Sequence, residues 1–209
     1  MGTDIHGYIE CRTWKPGLDP GETAWQPAVD LALLGLYRDY AGFAVLFGVR
    51  DIHDEWRPVA AGRGLPADVS GVVLAAYDMC EPAVDATWIG WGEVCAIDWD
   101  EPAAARATRI ARYRVLPDGR RELVHREDWS RGFTRASGID VLSAGTGSLG
   151  GHCAEGDEWQ TGTTVFRAER DRRRDLVPAD GPWEPIWSVM RTLAGVHGGQ
   201  NVRLVVWFD

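Results

Sequence analysis

The segment Thr3-Asp4-Ile5-His6-Gly7-Tyr8-Ile9-Glu10-Cys11 alternates strictly, setting Asp4, His6, Tyr8 and Glu10 on one side of an extended strand and Ile5, Ile9 and Cys11 on the other. Residues two apart on a strand converge closely enough to share a metal ion or to form a carboxylate-imidazole acid-base pair. Asp4 and His6 are therefore the candidate catalytic pair, with His6 as base or ligand and Asp4 as its orienter or co-ligand. A divalent metal such as zinc, iron or manganese suits the same two side chains. The competing explanation is the solvated polar side of an edge strand, which accounts for Tyr8 and Glu10 equally well.

Other ligand-type residues are scattered. His53, His125, His152 and His197 form no diagnostic metal spacing. His53-Asp54-Glu55 and His152-Cys153 are distant partners to consider for His6, while His197 sits where it would complement a helix dipole. Gly145-Thr146-Gly147-Ser148-Leu149-Gly150 matches G-x-G-x-x-G after the strand-like Ile139–Leu142. The residues that follow are neither helical nor apolar, and only 59 remain after Gly150, so the string reads as a loop rather than a dinucleotide fingerprint. Arg38, Arg50, Arg57 and Arg63 bracket a polar stretch, and their guanidinium forks suit a carboxylate or phosphate on a ligand. Arg170, Arg172, Arg173 and Arg174, interleaved with acids, read as a solvated face. There is no G-x-S-x-G elbow, Walker loop or H-E-x-x-H, which leaves serine hydrolase, P-loop NTPase and zincin readings without support.

The elements that must position these residues begin and end the chain. Residues 3–11 and 201–209 both read as strands, the second more completely buried, and both belong in one sheet. Helical spacing predicts helices over Tyr40–Phe47 and Trp183–Ala194, a third from Pro102 to about Arg114, and a short fourth from Ser70. Arg112–Leu116 and Arg120–His125 read as a hairpin across Pro117-Asp118-Gly119, and Thr163–Ala168 as a further strand. Residues 143–161 read as a long glycine-rich surface loop. The pattern gives an α+β fold: a single domain over 1–209, with a mixed or antiparallel sheet containing both terminal strands and three to four helices.

Composition narrows the class. At 209 residues with 45% hydrophobic and 25% charged side chains, the chain is an ordinary globular one. A net charge of −9 argues against nucleic acid as a partner and leaves a small-molecule ligand as the expected one. No apolar run reaches the roughly 18 residues of a membrane span. The opening residues fit neither a signal peptide nor a myristoylation site, because His6 stands where Ser or Thr is needed. Four dispersed cysteines without a C-x-x-C pair indicate free thiols, and together these features place the protein in the cytoplasm. The 11 tryptophans exceed tyrosine and phenylalanine combined, 5 each, and rings of that size fill a core or wall a ligand cleft.

Four separated blocks bear a further likeness: Met1-Gly2-x-Asp4-Ile5-His6 with Glu10, Arg38-Asp39-Tyr40-x-x-Phe43-Ala44 through Gly48-Val49-Arg50, Arg63-Gly64-Leu65-Pro66 with Asp68-Val69-Ser70, and Val202–Asp209. In these the chain resembles a group of mostly uncharacterised proteins of bacteriophages, prophages and some bacteria, over about a third of its length. The resemblance implies a shared site at Asp4, His6, Arg38, Tyr40, Arg50 and Arg63, and implies no particular reaction. Where such proteins carry a histidine-serine repeat before an aromatic residue, this chain has Val84-Asp85-Ala86-Thr87-Trp88, so Asp85 is the one substitute ligand there.

Two functions follow. The first is an enzyme acting on a small polar or anionic molecule by acid-base or metal-assisted chemistry at Asp4 and His6. In it Arg38, Arg50, Arg63 and Tyr40 bind the substrate, and tryptophans including Trp88 wall the pocket. The second is a non-catalytic phage-type module that sequesters a ligand or engages a host protein.

Overall fold

The structure is a computed structural model that describes residues 2–13, 23–51, 55–105, 108–140 and 149–209. Its elements in chain order are β1 (Ile5–Cys11), β2 (Gln26–Asp30), α1 (Tyr40–Phe47), α2 (Gly71–Asp78), β3 (Val84–Gly90), α3 (Trp91–Cys95), β4 (Arg109–Val115), β5 (Arg121–Glu127), α4 (Arg131–Ser137), β6 (Glu158–Thr161), β7 (Thr164–Glu169), α5 (Arg173–Leu176), α6 (Glu184–His197) and β8 (Val202–Phe208). The fold is α+β, and both terminal strands lie in one antiparallel sheet. Two differences from the sequence reading stand out. The described residues hold six α-helices and two four-stranded antiparallel sheets, and the chain packs as two compact units. One unit is Met1–Asp51, Trp56–Trp99 and Leu176–Asp209; the other is Asp100–Asp175 with Ile52–Glu55.

The first unit is built on the sheet β2-β1-β8-β3. All seven residues of β8 are buried, as a central strand covered on both faces requires. On one face Phe208 meets Phe43 and Phe47 of α1, and Phe47 meets Trp183 at the start of α6. These four rings are at most 2% exposed, and burying each contributes about 2–3 kcal/mol. Helix α1 is apolar along its length because it lies inside. Its ends are fixed by Asp39, which accepts from Gly42 N, and by Gly48 in the left-handed conformation at φ 72°. Asp39 also accepts from the Trp183 indole at 2.7 Å, tying α1 to α6. On the opposite face α2, capped by Ser70, lays Val73 and Tyr77 against Val205 and Trp207.

The second unit is the sheet β5-β4-β7-β6 with α4 against it, around a core of Ile110, Phe133, Leu149, Cys153, Phe166 and Ala168. Its edge strand β5 is exposed and studded with charge, a common guard against edge pairing. The helix expected over 102–114 is instead an isolated bridge from Pro102 to Arg172 followed by β4. Pairing of β4 with β5 and β7 on both sides overrides the local helix preference of the alanines. The expected hairpin and the Thr163–Ala168 strand are present as β4-β5 and β7. The expected loop over 143–161 is overturned in its later part: Leu149 and Cys153 are core residues and Glu158–Thr161 is β6. Its Gly145–Ser148 stretch lies outside the described residues, as do His53 and Asp54. Nor is the 170–174 arginine run a plain solvated face. Arg173 is buried on Glu101 at 2.8 Å, and Arg109 bridges Asp171 and Asp175.

Candidate functional site

Register decides what meets at the start of β1. Antiparallel pairing sets His6 opposite Trp207 and Tyr8 opposite Val205, and the last residue therefore comes back beside the first turn of chain. Asp209 Oδ2 lies 3.1 Å from His6 Nε2, and its Oδ1 accepts from the Asp4 backbone N–H at 3.0 Å. The imidazole stacks on the Trp207 ring at 6.3 Å with an 18° interplanar angle, which limits its rotation. Between His6 and Tyr8, Gly7 lets β1 close on β8, since a Cβ there would run into the Val205 carbonyl.

The carboxylate that orients His6 is thus Asp209, and this corrects the role expected for Asp4. Both Asp4 oxygens are taken by the Arg38 guanidinium, at 2.6 and 3.0 Å. That hydrogen bonding, more than the charge of Arg38 or of His6, holds the Asp4 carboxyl below its ordinary range against a smaller opposing effect of burial. The third donor beside His6 is Cys80, just beyond α2: one His6 nitrogen, the Cys80 sulfur and one Asp209 oxygen lie within 4.8 Å of one another. Imidazole, thiol and carboxylate are a three-donor set of the kind that zinc or iron takes.

Tyr40 and Arg50 border this end through Thr3. The Thr3 backbone N–H donates to the Tyr40 hydroxyl at 3.2 Å, Arg50 Nε donates to Thr3 Oγ1 at 2.8 Å, and the Arg50 guanidinium lies 5.5 Å from the Tyr40 ring centre. Arg50 holds φ at 67°, a left-handed conformation that a bulky residue adopts at a strain of about 1–3 kcal/mol. Five of the expected site residues, Asp4, His6, Arg38, Tyr40 and Arg50, are therefore assembled at one end of the sheet.

Arg63 and Trp88 are elsewhere. They belong to a cleft at the opposite end of β1 and β8, where Arg63 is held by both oxygens of Glu93, at 2.8 and 3.0 Å, and by the Trp88 carbonyl. Glu10 is not part of an exposed reactive row. It is fully buried, accepting from Arg203 at 2.8 Å and from Ser70 N at 2.9 Å. Arg203 also donates to Asp68 at 2.6 Å and lies 3.9 Å from the Trp25 ring centre.

Sequence reasoning missed Asp209, Cys80 and the Glu10-Arg203-Asp68 cluster. Antiparallel pairing of the two terminal strands would have brought Asp209 to Asp4; nothing local marks Cys80. All four cysteines are free thiols, and no helix among the described residues is long and apolar enough to cross a membrane. No family model, curated protein or solved structure matches the chain.

Proposed function

We propose that the protein is an enzyme acting on a small polar or anionic molecule by metal-assisted chemistry centred on His6. The observation that carries this reading is the convergence of His6, Cys80 and Asp209 donor atoms within 4.8 Å. Three protein ligands with an open position are the pattern of catalytic rather than structural zinc, where the bound ion polarises a substrate oxygen or acidifies a water. Trp207 beneath His6 and the Asp4 N–H on Asp209 fix two of the three ligands in orientation. A reduced Cys80 thiol fits the cytoplasm as the working compartment.

The test is metal analysis of protein purified without chelators. About one equivalent of zinc, iron or manganese per chain is expected, lost in His6→Ala and Cys80→Ser and kept in Asp4→Asn, whose carboxylate serves Arg38. Metal well below stoichiometry in the parent protein removes the proposal. The exposure of the site favours a second reading, a phage-type binding module without catalysis: the His6 and Asp209 side chains are 39% and 34% exposed, more open than most enclosed active sites. Stoichiometric metal would argue against that module.

A further inference from the structure

The cleft at the far end of the sheet has a volume of about 740 Å³, within the range of small-molecule sites. Its walls come from Leu65, Pro66, Trp88 and Trp25, and its floor is Arg203, whose side chain is 5% exposed and lies between the two indoles. Charge in the cleft is distributed unevenly. Glu93 is taken by Arg63 and Gly90 N, Asp68 by Arg203 and the Trp25 indole, and Glu10 by Arg203 and Ser70 N. Burial pushes the Asp68 carboxyl up, but hydrogen bonds from Arg203 and Trp25 together with the Arg203 charge outweigh it and leave Asp68 below its ordinary range.

Arg12 is different. Its guanidinium lies 4.5 Å from the Trp25 ring centre, its NH2 group reaches only the Gln200 carbonyl at 3.4 Å, and its Nε is buried without a hydrogen-bond partner among the described residues. A buried donor left unmet is destabilising unless something accepts from it. Every carboxylate lining the cleft is already engaged, and Arg12 is the cation there with no carboxylate of its own among the described residues.

We infer that this cleft binds a small ligand with a flat apolar ring at one end, packed on Trp88, Leu65 and Pro66, and one carboxylate or phosphate at the other, held by Arg12. The site stands apart from His6: Glu10 and His6 are four residues apart on β1, about 13 Å, and α2 covers the face between. It does not rest on the metal reading.

Gly92 supplies a clean probe. It lines the cleft, and a Cβ added there meets nothing within 4 Å, so Gly92→Leu starts from open space rather than from packed atoms. Calorimetric titration with benzoate, phenyl phosphate, benzyl alcohol and inorganic phosphate separates the two requirements. At least one ring anion is expected to bind once per chain, about tenfold or more tighter than benzyl alcohol or inorganic phosphate. Whether benzoate or phenyl phosphate binds better identifies the anion. Gly92→Leu should abolish binding at an unchanged melting temperature, and Arg12→Gln should reduce the ring anion to the affinity of the alcohol. Absence of saturable binding by both ring anions at millimolar concentration overturns the proposal, as does full binding by Gly92→Leu.

Discussion

One pair of strands, β1 and β8, carries two polar clusters on the same face, and they are built on opposite principles. At the Glu10 end the charges are sealed: Glu10 is fully buried, the Arg203 side chain is 5% exposed, and Trp25 lies over the guanidinium. Each Glu10 oxygen has a donor, from Arg203 or Ser70 N. At the His6 end the groups are half-open, and Cys80, packed against the edge of the Val73-Val205-Trp207 cluster, stands beside an imidazole and a carboxylate. A saturated cluster holds a fold, whereas an accessible one with spare donor capacity can take a ligand. The same distinction runs inside the cleft, where Arg203 is saturated while the buried Arg12 Nε has no hydrogen-bond partner among the described residues.

The sharpest way to break this contrast is to truncate one residue at each end. Glu10→Ala takes one of two carboxylates from the buried Arg203, leaving Asp68 as the other, and leaves the Ser70 N–H without its acceptor, and should destabilise the fold by about 2–4 kcal/mol in urea unfolding. With both proteins stripped of metal by chelator, His6→Ala removes only a partly exposed ring and should change stability by no more than about 0.5 kcal/mol. Equal effects of the two substitutions would dissolve the distinction.

A middle-sized effect is expected from pH at the cleft. Hydrogen bonding from Arg63 is the largest influence and lowers the Glu93 carboxyl below its ordinary 4.5; burial, next in size, opposes it, and the Gly90 N–H and the Arg63 charge add to the lowering. A lowered native value means that Glu93 contributes stability above the unfolded-state value and loses it as pH falls through the lowered native one. The difference in melting temperature between the parent and Glu93→Gln should therefore be largest near neutrality and shrink on acidification below about 4.5. A difference that grows with acid would mean that the Arg63-Glu93 pair does not stabilise the native state.

How much of this was legible in the sequence depends on whether local pattern or register supplied the information. Strict alternation exposed Asp4 and His6, helical spacing marked α1 and Ser70 marked the start of α2, because these depend on neighbours in sequence. Glu10 defeated the same alternation. Its strand slips register against β2 between Ile9 and Glu10, and the residue it answers to, Arg203, is 193 positions away. The alanine-rich approach to β4 misled for a related reason, since its strand state comes from β5 and β7. Asp209 was within reach: once both termini are placed in one sheet, antiparallel pairing sets the final carboxylate beside Asp4. Cys80 was not, because its place follows from how α2 crosses the sheet.

The smallest expected effect tests whether the Asp4-Arg38 pair is separate from the proposed metal ligands at the His6 end. Asp4 is held low chiefly by hydrogen bonds from Arg38, and the Arg38 guanidinium is raised in turn by the same contact. Arg38→Gln removes the cation and the fork, so the Asp4 titration, followed through its carboxyl carbon by NMR, should move up toward the ordinary value of 3.8. The clamp on Asp4 and the seat of Asp209 are distinct, because Asp209 accepts from the Asp4 backbone rather than its side chain. Metal content should accordingly stay at its parent level in Arg38→Gln while Asp4 shifts. If the metal were lost together with the shift, Asp4 and Arg38 would be supporting the ligand set, and the proposed metal site would extend across the whole Asp4-His6-Asp209 row.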